Sequence, residues 1–173
     1  MNRTKRERLL QRLPAPADIL ALVPEHGEGG GSETVIHTTT GGSLCLSATT
    51  EYILSCLAER EDKELRLIRR NAARLLARRR NIILPILHGC VLAPIMVRHV
   101  QKRSGRLGYV NIARRPLIAH STRGTDLALQ SGTVIHSLWQ LPTVKRLMYE
   151  GRALHYKLLL DVQCQLRRIE TFA

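Results

Sequence analysis

Residues 43–84 contain neither glycine nor proline, and their apolar positions recur every three to four residues: Leu54, Leu57, Leu65, Ile68, Ala72 and Leu75. That period predicts one long amphipathic helix with a single greasy stripe. Arg66, Arg70, Arg74 and Arg78 fall four apart, so the same helix would carry a basic ridge, which Arg79 and Arg80 extend. Shorter patterns flank it. Ile19-Leu20-Ala21-Leu22-Val23, with Asp18 placed as a first-turn acid, predicts a short apolar helix stopped by Pro24. The β-branched stretch 34–38 predicts a short extended piece between the glycine-rich loop 27–32 and Gly41-Gly42. Residues 82–85 predict an extended connector, and residues 86–100 a second short helix interrupted at Pro94. Residues 109–142 read as irregular, with β-like pieces at 109–112 and 133–135. The stripe Leu147, Leu154, Leu158 and Val162 predicts a helix over 143–170.

Charge changes the picture. The 173-residue chain carries a formal net charge of +13, and arginine far outnumbers lysine. The planar guanidinium fork suits phosphate oxygens, so the bias points to nucleic acid. Aromatic residues make up only 3% of the chain. Single-strand binders stack successive bases on aromatic platforms, so contact with a duplex backbone is the better expectation.

Other chemistry is thin. Cys45, Cys56, Cys90 and Cys164 form no C-x-x-C pair and are expected as reduced thiols. His88-x-Cys90 followed by His99 fits no zinc spacing, so no metal and no cofactor are expected. The glycines at 27–31 lack the lysine of a phosphate-binding loop, and the acids do not cluster with a histidine or serine, so the chain is not expected to be an enzyme. The apolar run 82–97 is short for a membrane span and is broken by Pro85, Gly89 and Pro94, so no membrane contact is expected of it. The basic start, Arg3, Lys5 and Arg6, precedes no long apolar region, which argues against a secretion signal.

Short helix, extended loop, long helix, extended loop, short helix is the layout of a histone fold. The details run the same way. Leu13-Pro14, Ser32-Glu33-Thr34-Val35, the run from Gly41 to Ile53, Asn71-Ala72-Ala73-Arg74 and Arg80-Asn81-Ile82-Ile83-Leu84-Pro85 occur in that order. Val110-Asn111-Ile112-Ala113 and Ser131-Gly132-Thr133-Val134-Ile135 with Leu141-Pro142 follow. Together they resemble the 2A-type core histones, the last pieces being similar to that family's docking segment split by an insertion at 114–130. The chain departs from the family in extra residues between Glu59 and Asn71, in Thr34 where the family has a loop arginine, and in Cys56 at an acidic-patch position.

The resemblance implies an all-α histone fold with a docking-like extension and a C-terminal helix. Its divisions would be a basic arm at 1–12, a histone-fold domain at 13–100, a docking-like segment at 101–142 and a helical extension at 143–173. It implies a DNA-packaging protein that pairs with a 2B-type histone, joins other core histones in a nucleosome-like particle, and resides in a nucleus or a viral particle. Leu54, Leu57, Leu65, Ile68 and Leu75 would face the partner. Arg3, Lys5, Arg6, Arg8, Thr34, Arg78, Arg79, Arg80 and Asn81 would face double-stranded DNA, and Glu51 and Glu59 would form a residual acidic patch. The alternative expectation is a viral matrix-like or accessory protein that binds anionic membrane and RNA through its basic helices.

Overall fold

The computed structural model describes residues 3–27, 31–97 and 106–171, with backbone alone for 3–5, 166 and 168–171. Helix α1 (Arg3–Arg12) and a 3-10 turn at Pro16–Asp18 lead into a meander of β1 (Ile19–His26), β2 (Ser32–Thr38) and β3 (Ser43–Leu46). Helices α2 (Thr50–Arg60) and α3 (Leu65–Leu75) then cross to a second meander, β4 (Leu84–Leu87), β5 (Cys90–Met96) and β6 (Leu107–Asn111). Pairing of β1 with β6 at Ala21–Val110 and Leu22–Tyr109 joins the two into one antiparallel sheet of order β3-β2-β1-β6-β5-β4. Strands β7 (Leu117–Ser121), β8 (Gly124–Ala128) and β9 (Val134–Ser137) form a second, three-stranded antiparallel sheet, followed by α4 (Leu141–Thr171).

This mixed α/β architecture overturns the all-α histone fold, and with it the histone and nucleosome reading. Three segments account for the difference. The apolar run 19–23 is not a helix but the core of β1, in which Ile19, Leu20, Ala21 and Leu22 are all buried. Residues 86–97 are not a helix either; they supply β4 and β5, and β5 is buried from Cys90 to Ile95. Strands covered on both faces read as continuous apolar runs, which periodicity cannot tell from a buried helix. The expected long helix is three elements. Its start is β3, and Thr49 then caps α2 by accepting the Tyr52 N–H at 3.2 Å. The stripe has a gap at Glu61-Asp62-Lys63-Glu64, where Asp62 takes a positive φ of 53° and α2 gives way to α3 without any glycine or proline.

Residues of each central strand divide between two cores. Cys90 and Leu92 join Leu22, Ile36, Leu84 and Tyr109 under α2 and α3, which contribute Ile53, Leu54, Leu57, Leu65 and Ile68. Val91, Ala93 and Ile95 join Leu20, Val110, Ile112 and Leu127 under α4, which contributes Val144, Leu147, Met148 and Leu154. Helix α4 approaches closely: a Cβ on Gly151 would lie 1.9 Å from the Ile112 Cδ1 atom.

A single buried side chain ties the segments together. The Asn111 amide donates to the carbonyls of Ile19 (2.8 Å) and Gly89 (3.1 Å), and its oxygen accepts from the Val91 and Ala113 N–H groups, both at 3.1 Å. Every donor and acceptor of the side chain is engaged, across β1, the β4–β5 turn, β5 and the segment after β6. Asn111→Ala would strand those buried partners and is expected to lower unfolding free energy by about 3 kcal/mol. Gly151→Ala is expected to lower it by about 1–3 kcal/mol through overpacking. Urea denaturation of each variant against the parent chain measures both.

Candidate functional site

Strand β4 pairs with β5 only as far as Leu92, so the outer edge of β5 from Pro94 onward has no neighbouring strand. Proline tolerates this position because no partner needs its missing N–H. Met96, two residues on, turns its carbonyl outward to accept from the Leu138 N–H at 2.7 Å, which draws the β9–α4 linker to this edge. Pro94 lies opposite Tyr109 and Met96 opposite Leu107, so all four side chains share one face of the sheet. They floor a cleft of about 780 Å³.

The walls are cationic. Arg69 comes from α3, Arg79 and Arg80 from the loop after it, and Arg106 from the approach to β6, while Glu51 of α2 is the sole carboxylate in the lining. Glu51 is taken up by Arg69 in a two-pronged pair, with Nη2 2.6 Å from Oε2. Burial pushes the Tyr109 phenol above its ordinary range, against the pull of the neighbouring Arg69 guanidinium, so it remains a neutral hydroxyl. Trp139 closes one side. Its backbone N–H donates to Ser137 Oγ at 3.2 Å and its carbonyl accepts from Thr125 Oγ1 at 2.8 Å, which fixes the backbone that carries the ring.

A second groove of about 740 Å³ lies on the other side of Arg69, but its lining alternates Arg6, Lys63 and Arg66 with Glu59, Asp62 and Glu64. Its charges nearly cancel, so it offers an anion far less than the first cleft does.

The residues expected to contact DNA divide. Arg79, Arg80 and Asn81 do meet in the cleft, joined by Arg69 and Arg106, which no spacing along the chain singles out. Arg78 turns inward: its Nε lies 2.6 Å from Glu150 Oε2 of α4, and its Nη1 donates to the Asn81 carbonyl at 3.2 Å. Thr34 is fully buried, with Oγ1 donating to the Ala48 carbonyl at 2.8 Å, so it cannot face phosphate. Arg6 pairs with Glu59 and Arg8 is exposed on α1; the side chains of Arg3 and Lys5 lie outside the described residues. Glu51 and Glu59 are both engaged by arginines of this chain and form no open acidic patch. Of the expected partner-facing stripe, Leu54, Leu57, Leu65 and Ile68 are buried against this chain's own sheet, and Leu75 alone stays 54% exposed.

The basic ridge survives in shorter form. On α3, Leu65, Ile68 and Ala72 face the core while Arg66, Arg70 and Arg74 are exposed. Among the described residues, none of Arg66, Arg70, Arg74, Arg79 and Arg80 forms an ion pair. Other cations are spent internally: Arg60 donates to the Leu13 carbonyl, Lys63 to that of Ile86 and Arg114 to that of Ala17. The described residues contain no group of three or more metal-ligating side chains, and none of their helices is long and apolar enough to cross a membrane. No protein-family model, curated protein or solved structure matches the chain.

This sorting is open to measurement. Arg78→Ala breaks a partly buried pair between the α3 exit and α4, and is expected to cost about 1.5–3 kcal/mol of stability. Arg74→Ala and Arg80→Ala should stay within about 0.5 kcal/mol of the parent chain. Parallel thermal and urea unfolding of the three variants gives the comparison.

Proposed function

We propose that this chain binds duplex DNA through the exposed arginines of α3 and the arginine-lined rim of the cleft, by sequence-independent contact with phosphates. The observation that carries this reading is the division of the cations. Arg60, Lys63 and Arg78 are engaged by backbone carbonyls and a carboxylate of this chain, whereas Arg66, Arg70, Arg74, Arg79 and Arg80 are exposed along α3 and its exit loop without an ion pair among the described residues. Three of them are spaced along one helical ridge and two follow where that helix ends. A row of guanidinium groups held by a rigid helix suits a regular line of phosphates. The histone handshake is no part of this reading, because the apolar faces of α2 and α3 are already covered by the sheet.

Binding of this kind draws its free energy from counterion release, so it weakens with salt. With five arginines each neutralising a phosphate, the log–log slope of affinity against salt is expected near about −4.5. Replacing Arg66, Arg70 and Arg74 together by glutamine should flatten that slope by about three and leave the fold intact. Fluorescence anisotropy of a labelled duplex, titrated at several salt concentrations, provides the slope. Affinity indifferent to salt, or to the triple substitution, counts against the reading.

A further inference from the structure

The cleft holds more than charge. Its floor of Pro94, Met96 and Tyr109 is apolar, Trp139 stands at its side, and Arg79 and Arg80 stand at its rim. A site built only for phosphate needs no aromatic wall, and a flat phosphate-binding surface needs no cavity. At about 780 Å³ the cleft falls within the roughly 300–1,000 Å³ typical of small-molecule sites. A base with its phosphate fits such a space, but a duplex cannot enter it. The side wall is also pre-arranged, because the backbone of Trp139 is fixed from both ends by Ser137 and Thr125.

We infer that the cleft receives a single unpaired nucleotide of a bound nucleic acid, its base against Trp139 and its phosphate on Arg79 and Arg80. The inference rests on the nucleic-acid reading and specifies what one part of the surface is for. It agrees with the scarcity of aromatic residues, since capture of one base needs one stacking partner rather than a platform. Arg69 is held away from full competition for the phosphate by Glu51, which leaves the loop arginines as its principal ligands. A base already unpaired enters without the free-energy cost of breaking a pair. The chain should therefore favour a duplex with a short single-stranded overhang over a blunt duplex of equal charge.

Trp139 is the only tryptophan in the chain, so its emission reports on this site alone. The full chain is titrated with an overhang duplex, a blunt duplex of equal charge, inorganic polyphosphate and a mononucleotide. Labelled-DNA anisotropy is followed alongside. The overhang duplex is expected to bind about tenfold more tightly than the blunt one and to quench Trp139. Polyphosphate should compete for binding without the quenching, and the mononucleotide should quench only at much higher concentration. Trp139→Ala should abolish the overhang preference, leaving blunt-duplex affinity within about twofold, and Trp139→Phe should restore most of the preference.

Equal quenching by polyphosphate and by the overhang, or an overhang preference that survives Trp139→Ala, overturns the inference while blunt-duplex binding keeps the broader reading. A mononucleotide that saturates the cleft as tightly as the overhang also overturns it, assigning the site to a soluble nucleotide. Overhang binding with quenching but no blunt-duplex affinity at any salt would instead remove the duplex reading and leave the cleft's assignment standing.

Discussion

Burial of β1, β5 and β6 on both faces is the condition to which the other elements answer. Leu22, Leu92 and Tyr109 need a cover on one side, which α2 and α3 provide, while Leu20, Val110 and Ile95 need one on the other, which α4 and the small sheet provide. Neither cover is optional, because an apolar sheet face left in water forfeits the main favourable term of folding. The two meanders are joined by only two residue pairs between β1 and β6. The layers above and below, together with the Asn111 hydrogen bonds that bridge the same strands, hold that short seam closed.

The cleft is a by-product of this arrangement. Strand β5 outruns β4, and the uncovered edge at Pro94 and Met96 is met by the linker before α4 rather than by another strand. The floor therefore belongs to the rigid sheet, while the walls come from α2, α3, the loop after α3 and the linker that carries Trp139. A site assembled from several elements around a stiff floor keeps its shape without a ligand, and pre-organisation of that kind lowers the cost of binding.

Net charge alone describes this protein poorly. Arg60, Lys63 and Arg114 stitch loops and helices to backbone carbonyls, and Arg6, Arg69 and Arg78 pair with Glu59, Glu51 and Glu150. Arg78 is the most enclosed of the three that pair with carboxylates, and a partly buried cation left without its partner would be expensive, so its pairing with Glu150 matters to the fold. Arg66, Arg70, Arg74, Arg79 and Arg80 remain outward on α3 and its exit loop, and Lys145, Arg146, Arg152 and Lys157 remain outward on α4. Helix α4 follows the same economy: it is buried at Val144, Leu147, Met148 and Leu154, then exposed at Tyr156, Leu160 and Val162 once it passes the sheet.

The sequence by itself determined the amphipathic character of α3, the C-terminal helix, the extended pieces that became β2 and β9, and the spacing of Arg66, Arg70 and Arg74. Each of these is local: a helical or alternating period survives whatever surrounds it. Tertiary structure decided the rest. The apolar runs 19–23 and 90–95 became strands because layers lie on both of their faces, which no period within the run records. The break at Glu61–Glu64 and the positive φ of Asp62 depend on α2 and α3 packing side by side over the sheet. Which arginine faces solvent was equally out of reach, since Arg78 meets Glu150 across 72 residues and Arg69 meets Glu51 across 18. Trp139 and Arg79 come together only because a short β4 leaves the flank of β5 open, and contacts made through three dimensions leave no periodic trace along the chain.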